Sequence, residues 1–176
     1  MQGHQGEVYE IAMLPNERRA LSCGDDKTVR LWDLDSGLQL VQVDDADRVR
    51  SLALSSDGRY AASGNESGAV RLYDFADSRP QVKMLPKTQG YSIRALDFSP
   101  DGHFLVSADI EGNLILWTIP SAQKAHEWRF LGRLTGVCFA PDSKHLATAN
   151  SNGTVYILRL SRAGLSASKT EILNQP

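Results

Sequence analysis

The 176-residue sequence is 41% apolar and 23% charged, a composition typical of a folded globular chain and not of a disordered one. The net charge of −2 gives no indication of binding to nucleic acid or to an anionic lipid surface. No apolar run approaches the ~18 residues of a membrane span, and no basic-then-apolar leader is present, so we expect a soluble cytoplasmic protein.

The first predicted element is a short strand that begins at Val8 and recurs three times. Its equivalents begin at Val49, Ile93 and Leu134, at spacings of 41, 44 and 41 residues. All four strands carry apolar residues at the spacing of the pattern Val-x-x-Leu-x-Phe, which is typical of a strand with a bulge near its start. A turn rich in Pro, Asp and Gly follows each one, and these residues favour a hairpin into a second strand.

The second strand of each segment contains a Ser or Thr, and a bulky residue lies ten positions further on. The four pairs are Ser22 with Trp32, Ser63 with Tyr73, Ser107 with Trp117, and Thr148 with Leu158. These pairs repeat the spacings of 41, 44 and 41 residues. A polar turn and an alternating third strand lie between the members of each pair. A weaker fourth strand follows, best seen at residues 38–43, and in the tail we expect a last strand only at residues 169–173.

A fixed period in the forties, with four strands in each unit, predicts the blades of a β-propeller. The four repeats, the Trp32-Asp33 dipeptide and the Gly3-His4 pair resemble the WD40 repeat family over residues 3–160. The resemblance implies an all-β fold of four four-stranded antiparallel blades around a central channel. The repeats are predicted at about 3–44, 45–88, 89–129 and 130–160, with a C-terminal tail at 161–176.

Four blades are fewer than the about seven with which propellers of this family close. We therefore expect an open arc, which is either a half-propeller or a fragment of a larger propeller. Such an arc leaves one apolar sheet face bare at each end. Two copies that meet head to tail in an eight-bladed ring would cover both faces, as would further blades of a longer protein.

The resemblance also implies a hydrogen-bonded chain of side chains inside the first blade, formed by His4, Ser22, Asp26 and Trp32. A buried indole and a buried imidazole each need a polar partner, so we expect this structural network to lock three strands together. The later repeats depart from the pattern. The equivalent positions are Asp45, Ser63, Ser67 and Tyr73 in the second repeat, Gln89, Ser107, Glu111 and Trp117 in the third, and Phe130, Thr148, Asn152 and Leu158 in the fourth.

The sequence gives little indication of catalysis. His103 and His145 lie in or beside turns where other repeats carry Arg, Lys, Tyr or Phe, so we interpret them as solvated turn residues. No Cys, His or carboxylate lies at metal-ligand spacing from His126, and no nucleophile elbow or phosphate-binding glycine loop is found. We expect no cofactor and no metal, and we expect Cys23 and Cys138 to be buried thiols rather than a disulfide.

The resemblance implies that partners dock at the rim of the channel, beside the start of each innermost strand. The residues predicted there include Tyr9, Arg48, Arg50, Arg94 and Arg133. Arginine suits a bidentate grip on carboxylate or phosphate, so the predicted ligand is an acidic or phosphorylated peptide. The alternative is that acidic side chains of the neighbouring turns, Asp25 and Glu66 among them, neutralise these arginines as ordinary surface ion pairs.

The predicted function is therefore a non-catalytic protein–protein interaction scaffold. One alternative is a purely structural or regulatory fragment of a larger propeller that binds nothing itself. An enzyme with an active site in the channel is disfavoured, because the innermost strands carry Arg, Ser, Tyr and Thr where several His or carboxylates would be needed.

Overall fold

A computed structural model describes residues 3–15, 18–77, 79–86, 90–160 and 171–172. The described residues form sixteen β-strands and no helix, so none of them belongs to a helix that could cross a membrane. The strands make four antiparallel sheets of four strands each, and within every sheet the strands are neighbours in the order of the sequence. The predicted all-β fold of antiparallel blades is confirmed, and we number the sheets blades 1 to 4 along the chain.

The strand bounds follow the period of the sequence. Blade 1 contains β1 (Val8–Met13), β2 (Arg19–Gly24), β3 (Thr28–Asp33) and β4 (Gln39–Asp44). Blade 2 contains β5 (Val49–Leu54), β6 (Tyr60–Asn65), β7 (Val70–Asp74) and β8 (Gln81–Met84). Blade 3 contains β9 (Ile93–Phe98), β10 (Phe104–Asp109), β11 (Asn113–Thr118) and β12 (Gln123–Arg129). Blade 4 contains β13 (Leu134–Phe139), β14 (His145–Asn150), β15 (Val155–Arg159) and β16 (Glu171–Ile172).

The last strand, β16, pairs with β15, so that Tyr156 lies opposite Ile172. It lies inside the segment 169–173, the one part of the tail in which the sequence pattern allows a strand. Residues 169, 170 and 173 of that segment lie outside the described residues.

Every innermost strand has a register shift at its start, where it pairs with the second strand of its blade. The shift lies between Val8 and Glu10 in blade 1, and the other three blades repeat it at the equivalent place. A bulge of this kind turns the first residues of the strand away from the regular pleat. The side chains beside it, at positions such as Tyr9 and Arg50, therefore stand at the end of the strand.

The core consists of three apolar layers, each between two adjacent blades. Tyr73 of blade 2 is buried against Leu21 and Leu31 of blade 1. Trp117 of blade 3 packs on the other face of blade 2, and Leu158 of blade 4 packs on the far face of blade 3. The bulky residue that defines the repeat thus fills the gap to the preceding blade, which explains its regular spacing.

The four blades form an open arc. The innermost strands contact each other in the order β1, β5, β9 and β13, and in the described part of the chain no comparable contact joins β13 back to β1. At one end of the arc Ile11 and Met13 of blade 1 are 62% and 58% exposed. At the other end Val155 is 51% exposed and Cys138 is also exposed. The end sheets thus carry uncovered apolar side chains.

Candidate functional site

The first blade holds a continuous chain of side-chain hydrogen bonds. The indole N–H of Trp32 donates to Ser22 Oγ at 2.8 Å, and the Ser22 hydroxyl in turn donates to His4 Nε2 at 2.6 Å. The other ring nitrogen of His4, Nδ1, donates to the carboxylate of Asp26, 2.9 Å away. The structure thus brings together the four residues that the resemblance implies. This chain of bonds ties β2 and β3 to the segment that precedes β1.

Two further residues join this network, and the sequence reasoning missed both. Arg30 lies directly opposite Ser22 in the sheet, and its guanidinium donates to Asp26 Oδ2 at 2.9 Å and to Thr28 Oγ1 at 2.9 Å. The Thr28 hydroxyl also donates to Asp26, at 2.8 Å. Arg30 is only 7% exposed, so its charge depends on the carboxylate of Asp26 for compensation. The alternation of β3 could have indicated this, since it places Arg30 and Trp32 on the same face.

Asp26 is the centre of charge in this network. Burial alone would raise its pKa, but hydrogen bonds from the Gln5 amide, from His4 and from Thr28 outweigh burial and hold the pKa well below its usual range. The carboxylate therefore stays ionised at any pH near neutral. Because the folded protein favours this ionised form, the network contributes stability above the ordinary aspartate pKa, and that stability is lost as the pH falls.

Blade 2 has an arginine at the same position of the network, but its acidic partner comes from a different position of the repeat. Arg71 occupies the position of Arg30, and its Nε lies 3.1 Å from the carboxylate of Asp45, whose side chain is 3% exposed. Asp45 stands where blade 1 has His4, and Asn65 donates to it at 2.7 Å. The Ser63 hydroxyl and the Tyr73 hydroxyl are 2.9 Å apart. A different set of residues thus meets the same need to compensate a partly buried arginine.

Blades 3 and 4 retain less of the network. Trp117 donates to Ser107 at 2.9 Å, while Gln89, which the sequence predicts as its further partner, lies outside the described residues. In blade 4 the two positions that hold His4 and Arg30 in blade 1 carry Phe130 and Tyr156 instead. Their rings stack with centroids 4.7 Å apart. An apolar contact has therefore replaced the polar one.

The rim lies where a turn from each blade reaches the start of the innermost strand. In all four blades the backbone N–H of one turn residue donates to the carbonyl oxygen of the residue just before that strand. The four turn residues are Asp25, Glu66, Ile110 and Ser151. These bonds, of 2.8 to 3.1 Å, place the turns and the predicted rim arginines on the same side of the arc, where the innermost strands begin.

In blades 1 and 2 the rim is a cluster of paired charges. Arg48 Nε lies 2.7 Å from Asp25, and Arg50 Nε donates to Glu66 at 3.0 Å. The guanidinium of Arg50 also stacks over the ring of Tyr9, with its central carbon 3.9 Å from the ring centroid. The Tyr9 hydroxyl donates to Asp25 at 2.9 Å. Two of the four rim arginines thus already have acidic partners.

In blades 3 and 4 the rim arginines have no acidic partner among the described residues. Arg94 is equivalent to Arg50, and Arg133 is equivalent to Arg48; both are exposed. The turn residue that supplies the acid in the first two blades is Ile110 in blade 3. By analogy with Glu66 and Arg50, an acid at position 110 would pair with Arg94 of the same blade. By analogy with Asp25 and Arg48, it would also pair with Arg133 at the start of the next blade. A single change in the repeat, from an acid to Ile110, therefore leaves two positive charges without an acidic partner in the described part of the chain.

Comparison with known families agrees with this architecture. A family model described as "WD domain, G-beta repeat" matches residues 1–33, 39–74, 81–118 and 123–158. The first match covers the first three strands of blade 1, and each later match covers the outer strand of one blade and the first three strands of the next. The chain belongs to the WD40 repeat family. The family predicted from the sequence is therefore confirmed.

Several curated proteins are similar to this WD40 chain. Apoptotic protease-activating factor 1 of Homo sapiens is 27% identical over 164 residues, which are 89% of this chain and 13% of that protein. Target of rapamycin complex subunit wat1 of Schizosaccharomyces pombe is 25% identical over 167 residues, which are 89% of this chain and 52% of that protein. Small ribosomal subunit protein RACK1y of Oryza sativa subsp. japonica is 28% identical over 125 residues, or 68% and 37% of the two chains. This chain spans about half of the length of these relatives, or less.

The other His, Cys and carboxylate side chains of the WD40 chain form no metal site in the part that the structure describes. No three His, Cys, Asp or Glu side chains are grouped there as metal ligands. His145 is the first residue of β14 and lies 2.7 Å from Asp142 in the preceding turn. Hydrogen bonds from the Lys144 backbone amide and from His145 lower the pKa of Asp142 to about 2. Both cysteines are free thiols. Cys23 is buried as expected, but Cys138 is exposed, because it lies on the uncovered face of blade 4.

Proposed function

We propose that this WD40 chain is a non-catalytic interaction scaffold that binds an acidic or phosphorylated peptide at the rim of blades 3 and 4. The observation that carries the proposal is the pair of exposed arginines, Arg94 and Arg133, which have no acidic partner among the described residues, where Ile110 replaces the acid of the repeat. A carboxylate or phosphate of a partner would supply the charge that Asp25 and Glu66 supply in blades 1 and 2.

The relatives support the scaffold without defining the partner. One is by name a subunit of the target of rapamycin complex and another a small ribosomal subunit protein, so both belong to larger assemblies. The alternative of a purely structural fragment predicts no rim ligand at all. Binding at the rim therefore distinguishes the two interpretations.

The four rim arginines are not equivalent in this proposal. A ligand that approaches Arg48 or Arg50 must displace Asp25 or Glu66, or accept their repulsion. A ligand at Arg94 or Arg133 meets neither cost. We therefore expect the second pair to supply most of the affinity.

The test is a binding titration, followed by fluorescence anisotropy, with a labelled Glu-rich peptide and its phosphorylated counterpart. The double variant R94S/R133S should bind at least about tenfold more weakly, since a hydrogen bond to a charged group contributes about 1.5–3 kcal/mol. The matched control is R18S/R59S, which removes the same charge from two exposed arginines of the opposite turns. If both double variants lose affinity equally, the loss reflects only the change in net charge, and the proposal is contradicted.

We also propose that the two ends of the arc are covered in the working protein, by a second copy or by further blades. The exposed Ile11 and Met13 at one end and Val155 at the other support this. Light scattering across a range of concentrations tests closure by a second copy. The dimeric mass expected for an eight-bladed ring should be lost in the variant V155K. A monomer at every concentration, without binding of an apolar dye, would contradict the proposal that the ends need a cover.

A further inference from the structure

Leu131 is the most exposed large apolar side chain in the described part of the chain, at 82%. It lies in the loop between β12 and β13, two residues before Arg133. The equivalent positions of the other blades carry Gln5, Ala46 and Gly90, none of them a large apolar residue. A leucine in the most solvated place of a rim loop has no role in the core of the blade.

The loop that carries Leu131 is firmly held, so the exposure of this side chain is built into the structure. The N–H of Phe130 donates to the Gly112 carbonyl at 2.8 Å, and the Asn152 side chain donates to the Leu131 carbonyl at 3.0 Å. The N–H of Arg133 donates to the Ser151 hydroxyl at 3.0 Å. The loop is therefore fixed between the turns of blades 3 and 4, with Leu131 facing solvent.

The close approach of the two segments depends on Gly112. Its φ is +88°, and a Cβ at this position would lie 2.3 Å from the carbonyl oxygen of Phe130. Ile110, which is half-buried, belongs to the same turn as Gly112. The hydrogen bond from Phe130 to Gly112 thus joins the loop that carries Leu131 and Arg133 to the turn that carries Ile110, whose equivalent in blade 2, Glu66, pairs with the equivalent of Arg94.

We infer that the rim ligand carries a large apolar side chain next to its acidic group, with the apolar side chain on Leu131 and Ile110 and the acidic group on Arg94 and Arg133. This inference rests on the proposed function and specifies its ligand. The acidic group of the ligand is inferred from charge complementarity, because both arginines lack a described counter-charge. Its apolar side chain is inferred from the exposed leucine, since covering apolar surface is favourable. A peptide supplies both groups within a few residues of chain.

The experiment compares two labelled Glu-rich peptides that differ at one position, Leu in one and Ser in the other, by fluorescence anisotropy. The wild-type chain should bind the Leu peptide about tenfold more tightly. In the variant L131S the two affinities should become nearly equal, with the affinity for the Ser peptide unchanged. The control variant L38S alters another exposed leucine, which is 64% exposed and lies between β3 and β4 of blade 1, at the end of that blade opposite the rim. This variant should keep the tenfold preference.

The other outcomes separate this inference from the function on which it rests. If both peptides bind equally to the wild type and to L131S, the apolar contact is refuted while the acidic site stands. If neither peptide binds, the proposed function itself is refuted. If the wild type binds neither peptide but binds vesicles with anionic lipid, and L131S does not, the surface recognises lipid and the inference is overturned.

Discussion

Removal of the Asp26 carboxylate is the perturbation that tests the network of blade 1 most severely. The side chains of Asp26 and Arg30 are 7% and 8% exposed, and they meet at 2.9 Å. The variant D26A leaves the guanidinium of Arg30 buried without compensation and removes the acceptor of the His4 ring N–H. Loss of one partner of a buried ion pair costs about 3–5 kcal/mol. A domain is stable by only about 5–15 kcal/mol, so this loss should remove a large part of the total.

The assay is unfolding in urea at pH 7, followed by tryptophan fluorescence. The control is D74A, which breaks the ion pair of Asp74 with the exposed Arg59 and should change the unfolding midpoint little. The double variant D26A/R30M should recover part of the loss, because it removes the stranded charge. A loss in D26A no greater than that in D74A would show that the network does not stabilise the blade.

Three further predictions concern two bulky core residues, a partly buried carboxylate and the two cysteines. Trp32→Ala should cost roughly 3–5 kcal/mol in urea unfolding, and Leu158→Ala somewhat less, because only the indole also donates a hydrogen bond; an equal loss at Leu158 would contradict this. Partial burial raises the pKa of Asp97, whose carboxylate accepts a hydrogen bond from the Phe139 amide of the next blade. The contribution of Asp97 to stability should therefore fall as the pH rises through that pKa. The variant D97N should flatten the dependence of the urea midpoint on pH in that range. Iodoacetamide should modify the exposed Cys138 of the native chain. Cys23 should react only after the protein unfolds, because burial raises the pKa of its thiol to about 12. Mass spectrometry of the labelled chain distinguishes the two sites.

The architecture could be predicted because it depends on the period of the sequence. Residues such as Tyr73 and Trp117 recur at a fixed spacing, since each one fills the same gap to a preceding blade. The network of His4, Ser22 and Asp26 could be placed by its resemblance to a repeat pattern. Both kinds of information are carried by local spacing, which a sequence displays directly.

The pairing of charges could not be predicted in the same way. Asp45 and Arg71 are 26 positions apart in the sequence, and their contact depends on how the loop before β5 lies over β7. The ion pair between Asp25 and Arg48 joins two different blades, so the angle between the sheets decides it. The sequence allows either that the rim arginines bind a ligand or that acidic neighbours neutralise them. Only the structure separates the paired arginines from Arg94 and Arg133.

The exposure of the Cys138 thiol could not be predicted either, because it also depends on how the blades are arranged. Cys138 lies in a strand whose pattern is that of a core strand, so burial was expected. Its face would be covered if another blade followed in the arc. Among the described residues no sheet lies against that face, and the side chain is therefore exposed.

The most direct test of the account is the variant I110E. A glutamate at this position restores to blade 3 the acid that Glu66 supplies in blade 2, within reach of both Arg94 and Arg133. We expect I110E to bind the Glu-rich peptide at least about tenfold more weakly than the uncharged control I110Q, with the urea midpoint no lower than that of the control. If I110E and I110Q bind the peptide equally, the two arginines are not the anion site and the proposed scaffold function at this rim is wrong.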